Sequence, residues 1–412
     1  MGFLSDYVFY NSGNECPESF HIWSGLSLIS SVLSHKVKYN RDYFTVIPNI
    51  YVCLIGDAGS GKTTAMMIAK KILMHDFPNI PLSASVTSRE DVAKFMGSDD
   101  GIRTFRKPSG EIFEYHPFCF YVSEFENLLS VDLIKMTAFL VDTFDGEHFS
   151  TSFKNSGKDS VPFPYTTMLS CAIPEWVMRT LKLQIFTGGL GRRMIMVVGK
   201  GKAPIAHPKP PPGGEEALKR AITHLHAIHD ESFQGDFSMT PEADKWWVSW
   251  YEGKESPRIK KPDDPVLQQF YSTKHIQVMK VAMLLAMEDY KPRTVIQVED
   301  FERAFAMLDL LEPRIKEFSA GVGRNELAVV SVQFMDMLNV LGGIVLEKRM
   351  RARFFNECRV VGKEFDLMVE HLCKTDQIVL TELQGKLLIF SPDRYEEHKK
   401  KRDATETTPP VV

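Results

Sequence analysis

The sequence predicts an α/β chain: a mainly parallel sheet flanked by helices, followed by a helical domain and a C-terminal winged helix. Three observations carry this expectation. Short apolar runs at residues 50–55, 118–122, 165–173 and 194–198 alternate with helical stretches, as strands buried on both faces of a parallel sheet do. A proline- and glycine-rich break at 201–214 precedes a series of amphipathic helices. From Asn325 onward three helices and a hairpin follow one another, the order of a winged helix.

Composition sets the outer bounds. A chain of 412 residues with 44% hydrophobic content has the apolar surface for a core domain and one or two smaller ones. Its formal net charge of -4 excludes a protein that coats nucleic acid by bulk charge, so any DNA contact must come from local basic patches. The 6 cysteines show no CxxC or Cys/His spacing, which argues for reduced thiols and against a zinc site of protein ligands. Nowhere do eighteen apolar residues run together, and Met1 to Tyr10 lacks the basic flank of a signal peptide. The expectation is a soluble cytoplasmic protein without a membrane partner.

Residues 1–45 are expected as an N-terminal helical segment. Within it Phe20, Trp23, Leu26, Ile29 and Leu33 recur at spacings of three and four, one apolar stripe on a helix. Residues 46–200 are the expected core, opening with the buried strand IYVCLI. Residues 201–214 read as a linker, because proline removes amide donors and glycine adds no packing. Residues 215–320 form the expected helical lid domain, with clear helices at 275–289 and 298–315; Lys274 and His275 are placed at the opening of the first. In 325–395, helices over 326–341, around 346–356 and from Lys363 to Cys373 lead into the hairpin IVLTELQGKLLIF. Residues 396–412 read as a disordered basic tail.

The most specific motif is Gly56, Asp57, Ala58, Gly59, Ser60, Gly61, Lys62 and Thr63, which matches GxxxxGK[ST] in full and lies between a buried strand and a helix. Its glycines let successive amides turn inward toward phosphate oxygens, and the helix N-terminus adds a favourable dipole. Together with Thr64 these residues form a candidate ATP site on a P-loop NTPase, RecA/AAA-like core. Lys62 is expected to bridge the β and γ phosphates and Thr63 to ligate Mg2+. Hydrolysis also needs a carboxylate to orient water. Glu124, ahead of Glu126, stands at the end of the next strand, while Ser123 occupies the place where an aspartate usually holds magnesium through water.

Further candidates follow. Ser170, near the end of the third run, is a candidate γ-phosphate sensor, and Arg193, beside Arg192 on a glycine-rich loop, is a candidate arginine finger reaching a neighbouring subunit. Lys154 and Lys158 flank an Asn155-Ser156-Gly157 turn between two β-prone arms, a hairpin fit to touch phosphates of single-stranded DNA. In the C-terminal module Arg351, Lys363 and Lys386 are the candidate DNA contacts, although acidic residues in the third helix argue against base-specific reading. Winged helices also serve as protein-docking modules.

In the order PESFHIWSGLSLISSVL, VIPNIYVCLIGDAGSGKTTAM, YVSEFENLL, MLSCAIPEWV and GGLGRRMIMVV, the chain resembles a family of phage and mobile-element P-loop ATPases. That family is related in layout to replicative helicases and is often found with primase domains. The resemblance covers residues 15 to 315 or so, and the glycine-rich motif is its one highly specific part. It implies the roles given to Glu124, Ser170 and Arg193, and a homo-oligomer, a hexameric ring, that hydrolyses ATP while acting on single-stranded or forked DNA. The rival expectation is an ATP-switched helicase loader or adaptor that docks a replication protein without unwinding. A small-molecule kinase fits poorly, since no compact substrate lid is visible.

Overall fold

The computed structural model describes residues 2–84, 86–153, 157–177, 189–230, 233–254, 256–260, 262, 265–316, 331, 334–358, 362–383 and 385–406. It has two compact units, Met1–Ser319 and Ala320–Val412. The architecture is α/β. Among the described residues no helix is long and apolar enough to cross a membrane.

The first unit begins with α1 (Phe3–Asn11) and α2 (Glu18–Leu33). The predicted stripe of α2 is buried, and so are Ser24, Ser27, Ser30 and Ser31 on its other sides. Three of these hydroxyls are satisfied: Ser27 and Ser31 donate to carbonyls one turn back, Ser30 donates to the Pro48 carbonyl at 3.0 Å, and Ser31 also meets Tyr121 and Thr167 of the sheet. Beyond α2 the expected helical segment gives way to a hairpin, Val37–Asn40 with Thr45–Val46, in which Tyr39 faces Val46. Two short polar arms carry too little alternation to announce it.

The core then follows as β1 (Tyr51–Ile55), α3 (Lys62–Asp76), α4 (Arg89–Met96), β2 (Arg103–Arg106), β3 (Ile112–Val122), α5 (Phe125–Leu129) and α6 (Leu133–Phe144). The strands β4 (Phe149–Phe153), β5 (Gly157–Val161), β6 (Pro164–Ala172) and β7 (Met194–Val198) complete it. The central sheet has the order β2-β3-β6-β1-β7, with β3, β6, β1 and β7 parallel and β2 an antiparallel edge. Every residue of β1 and β6 is buried, as expected of strands covered on both faces. From β1 the chain crosses over β6 to reach β3, while from β6 it crosses over β1 to reach β7. The two neighbours therefore diverge, and the crevice at their C-terminal ends is the topological switch point where open α/β sheets take ligands.

The helices α7 (Gly214–His229), α8 (Pro241–Glu252), α9 (Pro265–Glu288) and α10 (Val298–Asp309) do not form a unit of their own. α7 packs on α1 and α2, and α9 packs on α2 and α10, so α2 lies between the sheet and the later helices. Lys274 and His275 fall in the middle of α9 instead of opening a helix.

In the second unit a helical stretch over 334–340 is followed by β8 (Ile344–Leu346), α11 (Glu347–Cys358), α12 (Gly362–Lys374), β9 (Val379–Leu383) and β10 (Lys386–Phe390). The strands form an antiparallel sheet of order β8-β10-β9. Phe334, Leu338, Met350, Phe354, Phe365, Leu372 and Ile389 are among the residues of its core. Part of the expected disordered tail is helical, since α13 (Pro392–Glu406) runs through residues 396–406. Proline at the first helical position, ring contacts of Phe390 with Tyr395 and His398, and an Arg394–Glu397 pair at 2.8 Å hold its start. Residues 407–412 lie outside the described residues.

Candidate functional site

The glycine-rich loop leaves β1 in the switch-point crevice. The Gly56 N–H donates to the Ala172 carbonyl of β6 at 3.3 Å, and the Gly199 N–H beyond β7 donates to the Ile55 carbonyl at 2.9 Å. The loop then turns tightly, with the Ser60 N–H on the Asp57 carbonyl at 3.2 Å. Two left-handed residues close the curl, Gly59 at φ +80 and Gly61 at φ +82. Side chains are strained in that region, which is why the motif requires glycine at both positions. Gly61 caps α3 without any side-chain bond, so the cap itself satisfies none of the amides that precede Ala65, whose N–H donates to the Gly61 carbonyl at 3.0 Å.

Lys62 folds back over the loop and donates to the Asp57 carbonyl at 3.0 Å. The ammonium is thereby held above the amides, where negative charge would be received. A cavity of about 320 Å³ opens there, lined by Gly59 and Gly61 to Thr64 on one side and by Asn14, Glu15, Cys16 and Pro208 on the other. This second wall went unforeseen. Cys16 is buried and its thiol donates to the Gly61 carbonyl at 3.1 Å, while its N–H donates to Asn14 Oδ1 at 3.0 Å. Burial keeps that thiol protonated, and it lowers the pKa of His21, 2.9 Å from the same Asn14 oxygen, to about 4.

The expected linker is the strap that closes this wall. The Lys202 N–H donates to the Glu15 carbonyl at 2.9 Å and the Ile205 N–H to Glu15 Oε1 at 2.6 Å. A proline-rich stretch has no periodicity to reveal such anchoring, so the residues opposite the loop carried no sequence signal.

Register places the remaining candidates. Val122 faces Ser170, and Ser170 faces Cys53, so Ser123 and Glu124 emerge from β3 at the same end of the sheet as Gly56. One strand intervenes, a separation of about 10 Å. Glu124 is exposed, caps α5, and accepts from Asn127 Nδ2 at 2.8 Å. Ser170 lies deeper: it is fully buried and its hydroxyl donates to the Val52 carbonyl at 3.2 Å. Its neighbour Cys171 is buried too, and burial raises its thiol pKa.

Arg193 is at the other edge. It precedes Met194, which pairs with Tyr51 at the start of β1, so about six residues, or about 20 Å, separate its level from Gly56. Its guanidinium donates to Asp145 Oδ2 at 2.7 Å and to the Gly189 carbonyl at 3.3 Å, and its side chain is 12% exposed. From α9, Gln277 donates to the Arg193 carbonyl at 2.8 Å and Thr273 to that of Arg192. Nearby, the fully buried Lys280 bonds Asn49 and lies 3.7 Å from the Phe144 ring centre, its pKa lowered by burial to about 7. Lys274 is not at the surface but is buried against Asp309 at 3.0 Å and Glu312.

The candidate DNA contacts belong to both units. β4 and β5 pair as the arms of the expected hairpin, with Ser152 facing Lys158. Lys154 and the Lys158 side chain lie outside the described residues, as does the side chain of Lys363. Arg351 is engaged by Glu347 at 2.6 Å and by Asp366, and it stacks on Phe365. Lys386 is exposed at the start of β10. Compared with known proteins, the chain matches no family model and no curated sequence.

Proposed function

We propose that this chain is a P-loop ATPase that couples ATP hydrolysis to work on single-stranded DNA as a ring of identical subunits. One observation supports the ATP reading above all others. Two left-handed glycines curl a loop around uncapped amides at a switch point, beneath a lysine held over them and beside a 320 Å³ cavity. Phosphate oxygens fit those amides, and Lys62 would exchange the Asp57 carbonyl for them.

Among the described residues no group of three or more His, Cys, Asp or Glu side chains is arranged to hold a metal. Magnesium entering with the nucleotide needs few protein ligands. Thr63, exposed in the first turn of α3, would hold it, with Ser123 placed to take one of its waters. When bound, the ion neutralises charge developing on the phosphates. Glu124 orients the attacking water from its exposed place beyond β3. Arg193 serves a phosphate held by another subunit, because its own loop is at the opposite edge of the sheet.

The C-terminal unit is read as a winged helix on the strength of its helix, strand, two helices and hairpin. The engagement of Arg351, together with exposed Phe355 and Leu367, favours a second reading for this unit, docking of a protein by an ATP-switched loader. The test is ATP turnover with and without single-stranded DNA. Wild type should hydrolyse faster with DNA, Lys62→Ala should lose nucleotide binding, and Glu124→Gln should bind ATP yet turn over at least ~100-fold more slowly. Normal turnover by Glu124→Gln would remove its role, and ATP-dependent strand displacement by wild type separates a motor from a loader.

A further inference from the structure

The hairpin at residues 37–46 has no part in holding the nucleotide, yet its tip is built with care. The Arg41 N–H donates to the Phe44 carbonyl at 3.0 Å, and Asn40 Oδ1 accepts from the Asp42 N–H at 3.2 Å. Asp42 takes φ +58, a conformation that short polar side chains tolerate better than others. The turn so closed leaves Tyr43 99% exposed and Phe44 46% exposed. Behind them the Arg41 guanidinium is 5.7 Å from the Phe44 ring centre and 5.3 Å from that of Trp247 in α8. Arg41 thus ties the tip to a helix whose own rings stack on α10, Trp246 on Phe301 at 5.3 Å.

A single exposed aromatic is ordinary. Two adjacent rings on a closed turn, clamped from behind by a cation, are a display. The surroundings add positive charge: burial first, then the charges of Arg258 and Arg41, lower the pKa of His275 in α9. The acids near this surface are accounted for by local structure. Asp236 pairs with Lys38 at 4.0 Å, Asp244 acts on Tyr39 at the hairpin's base, and Asp42 forms the turn.

Position completes the argument. A methyl group on Gly146 would stand 2.6 Å from Ile47, so the chain entering β4 packs on the chain leaving this hairpin. The chain leaving the hairpin runs into the start of β1, at the end of the sheet opposite the glycine-rich loop. Rigid rings pointing away from the body, with cations beside them, are what base stacking and phosphate contact require of a single-strand platform.

We propose that the Arg41–Phe44 tip is a contact for single-stranded nucleic acid, with Tyr43 and Phe44 stacking on bases and the Arg41 guanidinium behind them supplying positive charge for the phosphates. This rests on the DNA-directed reading above and adds a site to it. The experiment is fluorescence anisotropy of the full chain with a labelled oligo-dT strand and an abasic strand of equal length. Tyr43→Ala should weaken oligo-dT binding ~5- to 150-fold, the range that loss of one stacked base predicts, and Tyr43→Phe should retain it. On the abasic strand wild type and Tyr43→Ala should bind alike, and DNA-free ATP turnover should be the same in all three proteins. A 5-bromouracil strand should photo-crosslink to the peptide carrying Tyr43. If wild type binds oligo-dT and Tyr43→Ala binds it equally well, the tip is not the contact while the DNA reading stands. If wild type binds no strand at all, both are overturned.

Discussion

At Gly59 and Gly61 the same left-handed backbone meets different surroundings. A methyl group on Gly59 would touch nothing within 4 Å, whereas one on Gly61 would sit 2.8 Å from the Cys16 sulfur and 3.0 Å from its Cα. Gly59→Ala should therefore cost only the conformational strain, ~1–2 kcal/mol. Gly61→Ala should cost more and displace the Asn14–Cys16 wall, with lower Tm and weaker ATP binding in calorimetry. Equal melting of the two variants would show that Cys16 does not constrain the loop. Lys280 offers a second test at this scale. Its folded pKa of about 7 is below that of the unfolded chain, so the unfolded state binds more protons between pH 7 and the normal lysine range. Stability must rise with pH across that window, and below it the burial penalty is felt in full. Wild type should gain stability relative to Lys280→Met between pH 7 and 9, measured as the difference between their denaturant midpoints.

Elements are joined by groups that dislike charge. His35, in the turn after α2, sits against the rings of Phe113 and Tyr115 in and around β3 and of Phe163 and Tyr165 at the start of β6. Burial lowers its pKa to about 4, and His21 and His275 are lowered to the same level. For each, the unfolded state takes up the proton first as pH falls from about 6.5. Stability is fully present above that pH and is lost progressively down to about 4. A urea series over this range should show a falling midpoint with a shallower fall in His35→Phe; identical slopes would remove His35 from the acid response. These joints explain why α2 is more than a surface helix: apolar spacing predicted the helix, but serines that donate back along it make its other sides fit for burial too.

For the whole molecule the decisive fact is that the glycine-rich loop and Arg193 occupy opposite edges of one parallel sheet. No side chain spans that distance, so an arginine finger here can only act between copies. Mixing Arg193→Ala with Glu124→Gln, each inactive alone, should restore part of the ATPase activity, because some mixed interfaces pair an intact loop and Glu124 with an intact Arg193. Absence of any recovery over a range of mixing ratios would confine Arg193 to its bond with Asp145. Release of that bond is a related expectation, since a phosphate must compete with the Asp145 carboxylate for the same guanidinium.

Much of this was legible before any fold was seen. The strand IYVCLI and the glycine-rich motif lie together in the chain, and apolar continuity and left-handed turns are local properties that residue type dictates. The opposite wall of the cavity, Asn14 to Cys16 strapped by 201–208, was not legible, because its parts are far apart in sequence and have no periodicity. The short hairpin bearing Tyr43 stayed hidden because its polar arms carry too little alternation, and the pairing of Arg193 with Asp145 because the two residues are far apart in sequence. Sequence alone determined where the glycine-rich loop curls between a buried strand and a helix, since the curvature of the backbone there is local. Only the tertiary structure decided what faces that place and what stands at the far edge, because strand order and register are set by long-range packing.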